Sequence, residues 1–233
     1  MLYYQTVSSD LITILKRLMS FSELTEFRLV GGTALALQIG HRKSVDIDLF
    51  CSRDFNNKEL QYFIKDKFKN FILDWENKNG FVAQIDNIKV DFFNWSIPFV
   101  YPVTEIDSFR MAGKREIAAM KIEAITGRKE KKDFIDIAVL LKEYELKELL
   151  MAFKLRYPFI SHKFAIESLM AVDYADESVN PEILIDYKWD EVKRDIIKSV
   201  ENYFTNQLEI SEQAKKERLK KAEELLKKKR KEE

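Results

Sequence analysis

The chain has 233 residues, with 39 Lys plus Arg against 39 Asp plus Glu and a formal net charge of +0, so no global charge asymmetry marks a nucleic-acid binder. Hydrophobic residues make up 46% and aromatics 12%, with 17 Phe, which excludes a wholly disordered chain and allows a sizeable core. A single cysteine, Cys51, excludes an intramolecular disulfide and a thiolate zinc cluster; no run of about 18 uncharged apolar residues spans a membrane; and without a basic leader before an apolar run, the expected location is cytoplasmic.

In chain order, Ser8, Ser9 and Asp10 can cap a helix whose apolar stripe runs through Leu11, Ile14, Leu15 and Leu18. Phe27 to Val30 reads as a short strand, broken by Gly31-Gly32, and Thr33 to Ile39 as a helix ending at Gly40. Val45-Asp46-Ile47-Asp48-Leu49-Phe50 alternates apolar and acidic, the period of a half-buried strand with Val45, Ile47 and Leu49 facing the core. Asn57 is a candidate cap for a helix from Lys58 to about Lys69. Strands are predicted over Phe71 to Trp75, Phe81 to Ile85 and Ile88 to Phe93, with turns at Asn79-Gly80 and Asp86-Asn87. Pro98 and Pro102 punctuate the next stretch, and from Lys114 onward the apolar period is helical. The expected fold class is therefore α+β: a mixed sheet with flanking helices, then a mainly α-helical part. We place the divisions at residues 1–110, 111–210 and a charged, helical tail at 211–233. That tail holds ten basic and six acidic residues, a net +4, leaving 29 basic against 33 acidic elsewhere. The tail reads first as a solvated helix, second as a contact with RNA phosphates and third as a partner-docking helix.

Two features carry chemistry. Asp46 and Asp48, at i and i+2 of one strand, set two carboxylates on one face about 6–7 Å apart, where like charges repel unless a hard divalent cation such as Mg²⁺ lies between them. Asp91 lies in a second apolar-flanked strand, so that if the two strands are neighbours three carboxylates converge. The Gly31-Gly32-Thr33 bend is the complementary half. Glycine lets the backbone approach a bulky anion, the unpaired amides of the following helix favour phosphate, and Thr33 offers a hydroxyl.

Val30-Gly31-Gly32-Thr33 followed by Asp46-Ile47-Asp48-Leu49 resembles the signature of the polymerase-beta-like nucleotidyltransferase superfamily. Within it, the run from Gly31 to Leu37, Arg42, Ser44 and the Asp46 to Leu49 segment resembles the AbiEii/AbiGii toxin branch, known from abortive phage infection and toxin–antitoxin pairs. That branch also carries a helical Lys, a basic residue and an Asp-x-x-Asp helix, matched here by Lys121, Arg128, Asp133 and Asp136, so the resemblance covers about Phe27 to Leu141. It implies that Gly31, Gly32, Thr33, Arg42, Ser44 and Lys121 bind the nucleotide and its phosphates. Asp46, Asp48 and Asp91 would bind metal, two Mg²⁺ ions with Mn²⁺ as the substitute, and Lys121 with Asp133 or Asp136 would complete the catalytic set. The implied reaction is transfer of a nucleoside monophosphate from a nucleoside triphosphate to an RNA, with tRNA ends one known class, or to a protein, by a toxin restrained by an antitoxin. Two alternatives stay open at this level: an aminoglycoside-type adenylyltransferase, against which the basic cluster between residues 110 and 132 argues, and a catalytically silent protein that keeps the fold. His41, His162 and Cys51 are assigned no role.

Overall fold

The computed structural model describes residues 1–95 and 97–232. Helix α1 (Ser9–Met19) is capped by Ser8, whose hydroxyl accepts from the Leu11 amide, and it buries the predicted stripe. Strand β1 (Arg28–Leu29) leads into α2 (Gly31–Ile39), which starts on the glycines themselves and ends at Gly40 in the left-handed region. The acidic strand β2 (Ile47–Cys51) begins later than its alternation suggests, so Asp46 precedes it. Val45, expected in the core, is instead 70% exposed while Ile47 and Leu49 are fully buried, because only residues inside the pleat have a fixed inward side. Helix α3 (Asn57–Lys67) is capped by Asn56 rather than Asn57. The Asn57 amide donates to the carbonyls of Asn77 and Gly80.

Strands β3 (Phe71–Asn77), β4 (Gly80–Ile85) and β5 (Ile88–Asn94) form the expected antiparallel meander, with Asp86 and Asn87 both left-handed in the second turn. The segment marked only by prolines holds a further hairpin, β6 (Val103–Ile106) and β7 (Phe109–Ala112), turned at left-handed Asp107 and Ser108. A division between residues 110 and 111 would fall inside β7. The seven strands form one sheet in the order β3-β4-β5-β2-β1-β7-β6, with β2 parallel to β5 and β1 parallel to β7.

Helices α4 (Lys114–Gly127), α5 (Lys131–Leu140), α6 (Leu146–Arg156) and α7 (His162–Met170) follow. The last helix, α8 (Trp189–Glu232), has 44 residues and spans about 66 Å at 1.5 Å per residue. It carries through the charged tail, although Glu233 and many of the tail's side chains lie outside the described residues. One apolar core runs from Leu2 through the sheet to Val200 on α8, so the helices of the second half complete the same interior as the strands. Among the described residues no helix is long and apolar enough to cross a membrane.

A buried ion pair joins Glu116 on α4 to Arg156 on α6, with side chains 1% and 0% exposed. Glu116 also accepts from the amides of Val100 (2.9 Å) and Tyr101 (2.8 Å), and Arg156 donates to the Pro98 carbonyl (3.0 Å). The pair thus pins the segment after β5 to the helical half. Removing one member strands a buried charge, so Glu116→Ala is expected to lose about 3–5 kcal/mol of unfolding free energy in urea titration. Glu116→Gln keeps an acceptor for the two amides and is expected to lose less.

Candidate active site

The site is built where β1 turns into α2 beside β2. The Val30 amide donates to the Asp48 carbonyl (2.9 Å), so the glycine bend and the acidic strand are joined by backbone. Gly31 has φ of +68°, and a Cβ there would overlap the Asp48 carboxylate. Only glycine meets both demands. At Gly32 a Cβ would overlap the Arg42 guanidinium. Each glycine therefore makes room for one specific side chain.

Asp48 and Asp91 are register partners on the parallel pair β2 and β5, which sets their side chains next to each other on one face. Burial first, then the Asp91 charge, pushes the Asp48 carboxyl up to about 6. Burial also raises Asp91, against the pull of Lys89, whose ammonium lies 2.9 Å from Asp91 Oδ1. Asp46 adds a charge that raises both carboxyls. The expected convergence of three acids is met only in part. Among the described residues no three His, Cys, Asp or Glu side chains come together in ligating geometry, because Asp46 precedes the strand while Asp48 and Asp91 are fixed within it.

Asp48 and Asp91 open onto a cleft of about 380 Å³, whose lining does not include Asp46. It is lined by Gly31, Asp48 and Asp91 from the sheet and the β1–α2 bend, by Lys121 and Glu123 of α4 and Arg128 just after it, and by Phe50, Trp95 and Tyr157. A larger crevice of about 660 Å³ runs beneath α8 beside Tyr144 and Asn202, but none of the acids reaches it.

Behind the cleft lies a buried ionic network. Asp136 on α5 accepts from Arg42 through two nitrogens (2.7 and 2.8 Å), from His41 Nε2 (2.7 Å), and from Lys121 Nζ at 2.7 Å. Lys121 also reaches Asp133 Oδ1 (2.7 Å), and Arg128 Nε reaches Asp133 Oδ2 (2.8 Å). Burial opposes the charge on Asp136, yet the Lys121 and Arg42 charges and the hydrogen bonds from Arg42 and His41 outweigh it and hold that carboxyl well below its usual range. Lys121 is likewise held charged: burial works against it, and Asp136 and Asp133 prevail.

The structure thus brings Gly31, Asp48, Asp91 and Lys121 to the cleft and sends other candidates behind it. Thr33 is fully buried; its one hydroxyl proton goes to the Asp46 carbonyl, with Ser44 Oγ at 2.8 Å. It ties α2 to the acidic segment and has no donor left for phosphate. Arg42 spends its fork on Asp136, and Asp133 and Asp136 are fully buried against cations, so these three position Lys121 and the bend. Sequence reasoning missed His41, Lys89, Glu123 and the aromatic lining. The i, i+2 spacing of Lys89 and Asp91 in one strand was the available signal for Lys89.

A family model described as Nucleotidyl transferase AbiEii toxin, Type IV TA system, matches residues 13–209, and the chain belongs to that family of nucleotidyltransferases. It is 32% identical over 198 residues to the protein aq_aa25 of Aquifex aeolicus (strain VF5), covering 82% of this chain and 95% of that one. Its fold is similar to that of JHP933 from Helicobacter pylori, with TM-score 0.55, 17% identity, and coverage of 90% and 98% of the two chains. The fold is also similar to that of the nucleotidyltransferase toxin MenT4 from Mycobacterium tuberculosis H37Rv, with TM-score 0.54, 13% identity and 82% of each chain covered.

The raised Asp48 carboxyl has a stability consequence. Between about pH 4, where an unfolded Asp titrates, and about 6, the folded chain holds the extra proton, so ionising Asp48 lowers metal-free stability as pH rises through that window. Asp48→Asn is therefore expected to be more stable than wild type at pH 7.5 by on the order of 2 kcal/mol, and to converge with it below pH 4. Thermal unfolding in chelator at both pH values measures this; equal melting temperatures at pH 7.5 refute it.

Proposed function

We propose that this AbiEii-family nucleotidyltransferase is a toxin that transfers the nucleoside monophosphate of a nucleoside triphosphate to a hydroxyl of an RNA or protein acceptor, in a divalent-metal-dependent reaction. The observation that carries the reading is the direct packing of the Gly31 backbone on Asp48, with Asp91 in register beside it and Lys121 lining the same cleft. A triphosphate backbone site, an acidic pair and a held cation then share one small volume.

The acids suit Mg²⁺. Their donors are all oxygen, Asp48 and Asp91 repel each other without a cation, and Mg²⁺ keeps several waters, needing only one or two carboxylates beside substrate phosphates. Asp48 and Asp91 would hold it, with Asp46 adding its negative charge nearby. When bound, the metal neutralises phosphate charge and aligns the reacting oxygens.

The chain's own groups do the rest. The amides of Gly31 and Gly32, at the positive end of α2, bind the triphosphate oxygens. Lys121, anchored by Asp133 and Asp136, presents a fixed positive charge to the cleft and stabilises charge on the leaving pyrophosphate. The acceptor oxygen attacks the α-phosphorus in line and forms a new P–O bond. The bond to the β-phosphate oxygen breaks, pyrophosphate leaves with its electrons, and the hydroxyl proton passes to Asp91, in register beside Asp48. The family's toxin–antitoxin setting supports a cognate antitoxin for this chain, and its resemblance to a branch known from abortive infection supports a place in phage defence.

Incubation with each α-labelled triphosphate and total cellular RNA tests the reading directly, since the label identifies both the base used and the species that accepts it. Transfer is expected to require Mg²⁺ and to be abolished by chelator. Asp46→Ala and Asp48→Asn are each expected to lower it by at least about 10³-fold, with the growth inhibition lost, because each removes carboxylate charge that would help hold the divalent cation against the reacting phosphate. Undiminished toxicity of the doubly substituted chain would defeat the proposal.

A further inference from the structure

The sheet face that bears the acids is unequally covered. On the opposite face of β4 and β5, Phe81, Ala83, Ile85, Val90 and Phe92 are all fully buried. On the acidic face the same strands show half-buried Val82, Lys89, Asp91 and Phe93, and the edge strand β3 exposes Ile72 and Trp75. Trp75 is 52% exposed. It pairs with Val82, which pairs with Asp91, so the tryptophan lies on the catalytic face.

The rings on this face are contiguous. Trp75 is 6.1 Å from Phe93, Phe93 is 5.8 Å from Phe50, and Phe50 stacks on Trp95 at 5.4 Å with 12° between planes. Phe50 and Trp95 line the cleft itself, and the indole N–H of Trp95 is buried without a partner among the described residues. A row of aromatics therefore starts beside the Asp48–Asp91 pair and ends on an open sheet edge. The strands that carry its ends, β2 and β3, lie three spacings apart in the sheet, about 14 Å. An exposed tryptophan on an edge strand is a liability unless something uses it.

The geometry points to a base-stacking track: the row Phe50, Phe93 and Trp75 binds the last unpaired nucleotides of a single-stranded polynucleotide acceptor, whose terminal hydroxyl then lies at Asp48 and Asp91. This rests on the nucleotidyl-transfer reading above and goes further by locating the acceptor strand on named residues of β2, β5 and β3. Three features favour that occupant. The track is continuous with the acids that would receive the hydroxyl. Aromatic faces stack on any base, which suits a strand held without strong sequence choice. On this side the face runs from Asp91 through half-buried Val82 to exposed Trp75, whereas Gly31 and residues of α4 line the cleft with the acids.

A 5′-labelled single-stranded RNA hexamer, titrated with the full chain and followed by fluorescence anisotropy, tests the track. Trp75→Ala is expected to weaken binding about tenfold, the scale of one lost base stack, while Trp75→Phe keeps most of it. Wild-type tryptophan emission is expected to quench on titration, with most of that signal missing in Trp75→Phe. The track is overturned if wild type does not bind the hexamer, if Trp75→Ala binds within twofold of wild type, or if light scattering shows a wild-type dimer that Trp75→Ala dissociates, the mark of a face covered by a second copy. Magnesium-dependent triphosphate binding by the same wild-type preparation separates the two readings. Its presence with an unaffected Trp75→Ala removes the track alone, and its absence removes the transfer reading beneath it.

Discussion

Everything at the site depends on a missing side chain. With Gly31 at φ +68° and no Cβ, the backbone of the β1–α2 bend comes down onto the Asp48 carboxylate. Any other residue would strain the bend and displace the acid at once. That contact brings the positive end of α2 and the negative face of β2 to one point, so a polyanion and its counter-ion can be held together. The Val30–Asp48 backbone bond fixes the approach.

A second constraint supports the first from behind. Lys121 faces the cleft but is held by two fully buried aspartates, one of which also carries Arg42 and His41. Arg42 in turn fills the space that Gly32 leaves. The bend, the helix α4 and the helix α5 are thereby joined through charge. Such a network contributes little net stability compared with an apolar core of equal volume, but losing one partner leaves the others buried and uncompensated. Its work is to hold one ammonium at one place.

The acids themselves are arranged against their own comfort. Asp48 and Asp91 sit side by side because their strands are parallel and in register, and their mutual repulsion is only partly relieved by Lys89. Stability is given up where a cation and a phosphate are to be received. The uncovered aromatic face next to them follows the same logic, with apolar area left open beside the chemistry and closed on the other side of the same strands.

Much of this was legible in the residues. Period-2 alternation identified the acidic strand, the glycine pair identified the bend, and helical spacing identified α4 and α5, since each of these signals is local. The sequence also contained the Asp-x-Asp and Asp-x-x-Asp spacings, because the pitch of a strand or helix puts such pairs on one face. It did not contain their partners. Thr33 turned inward, Arg42 went to Asp136, and Val45 stayed in solvent, because orientation at the end of an element is set by what packs against it. The β6–β7 hairpin was hidden by prolines and depends on pairing with β1, across a separation no local pattern encodes. Sequence alone determined which residue types carry the chemistry and on which elements they ride. Tertiary structure decided which of them face the cleft and which stand behind it, because burial and charge pairing are properties of contacts between segments distant in the chain.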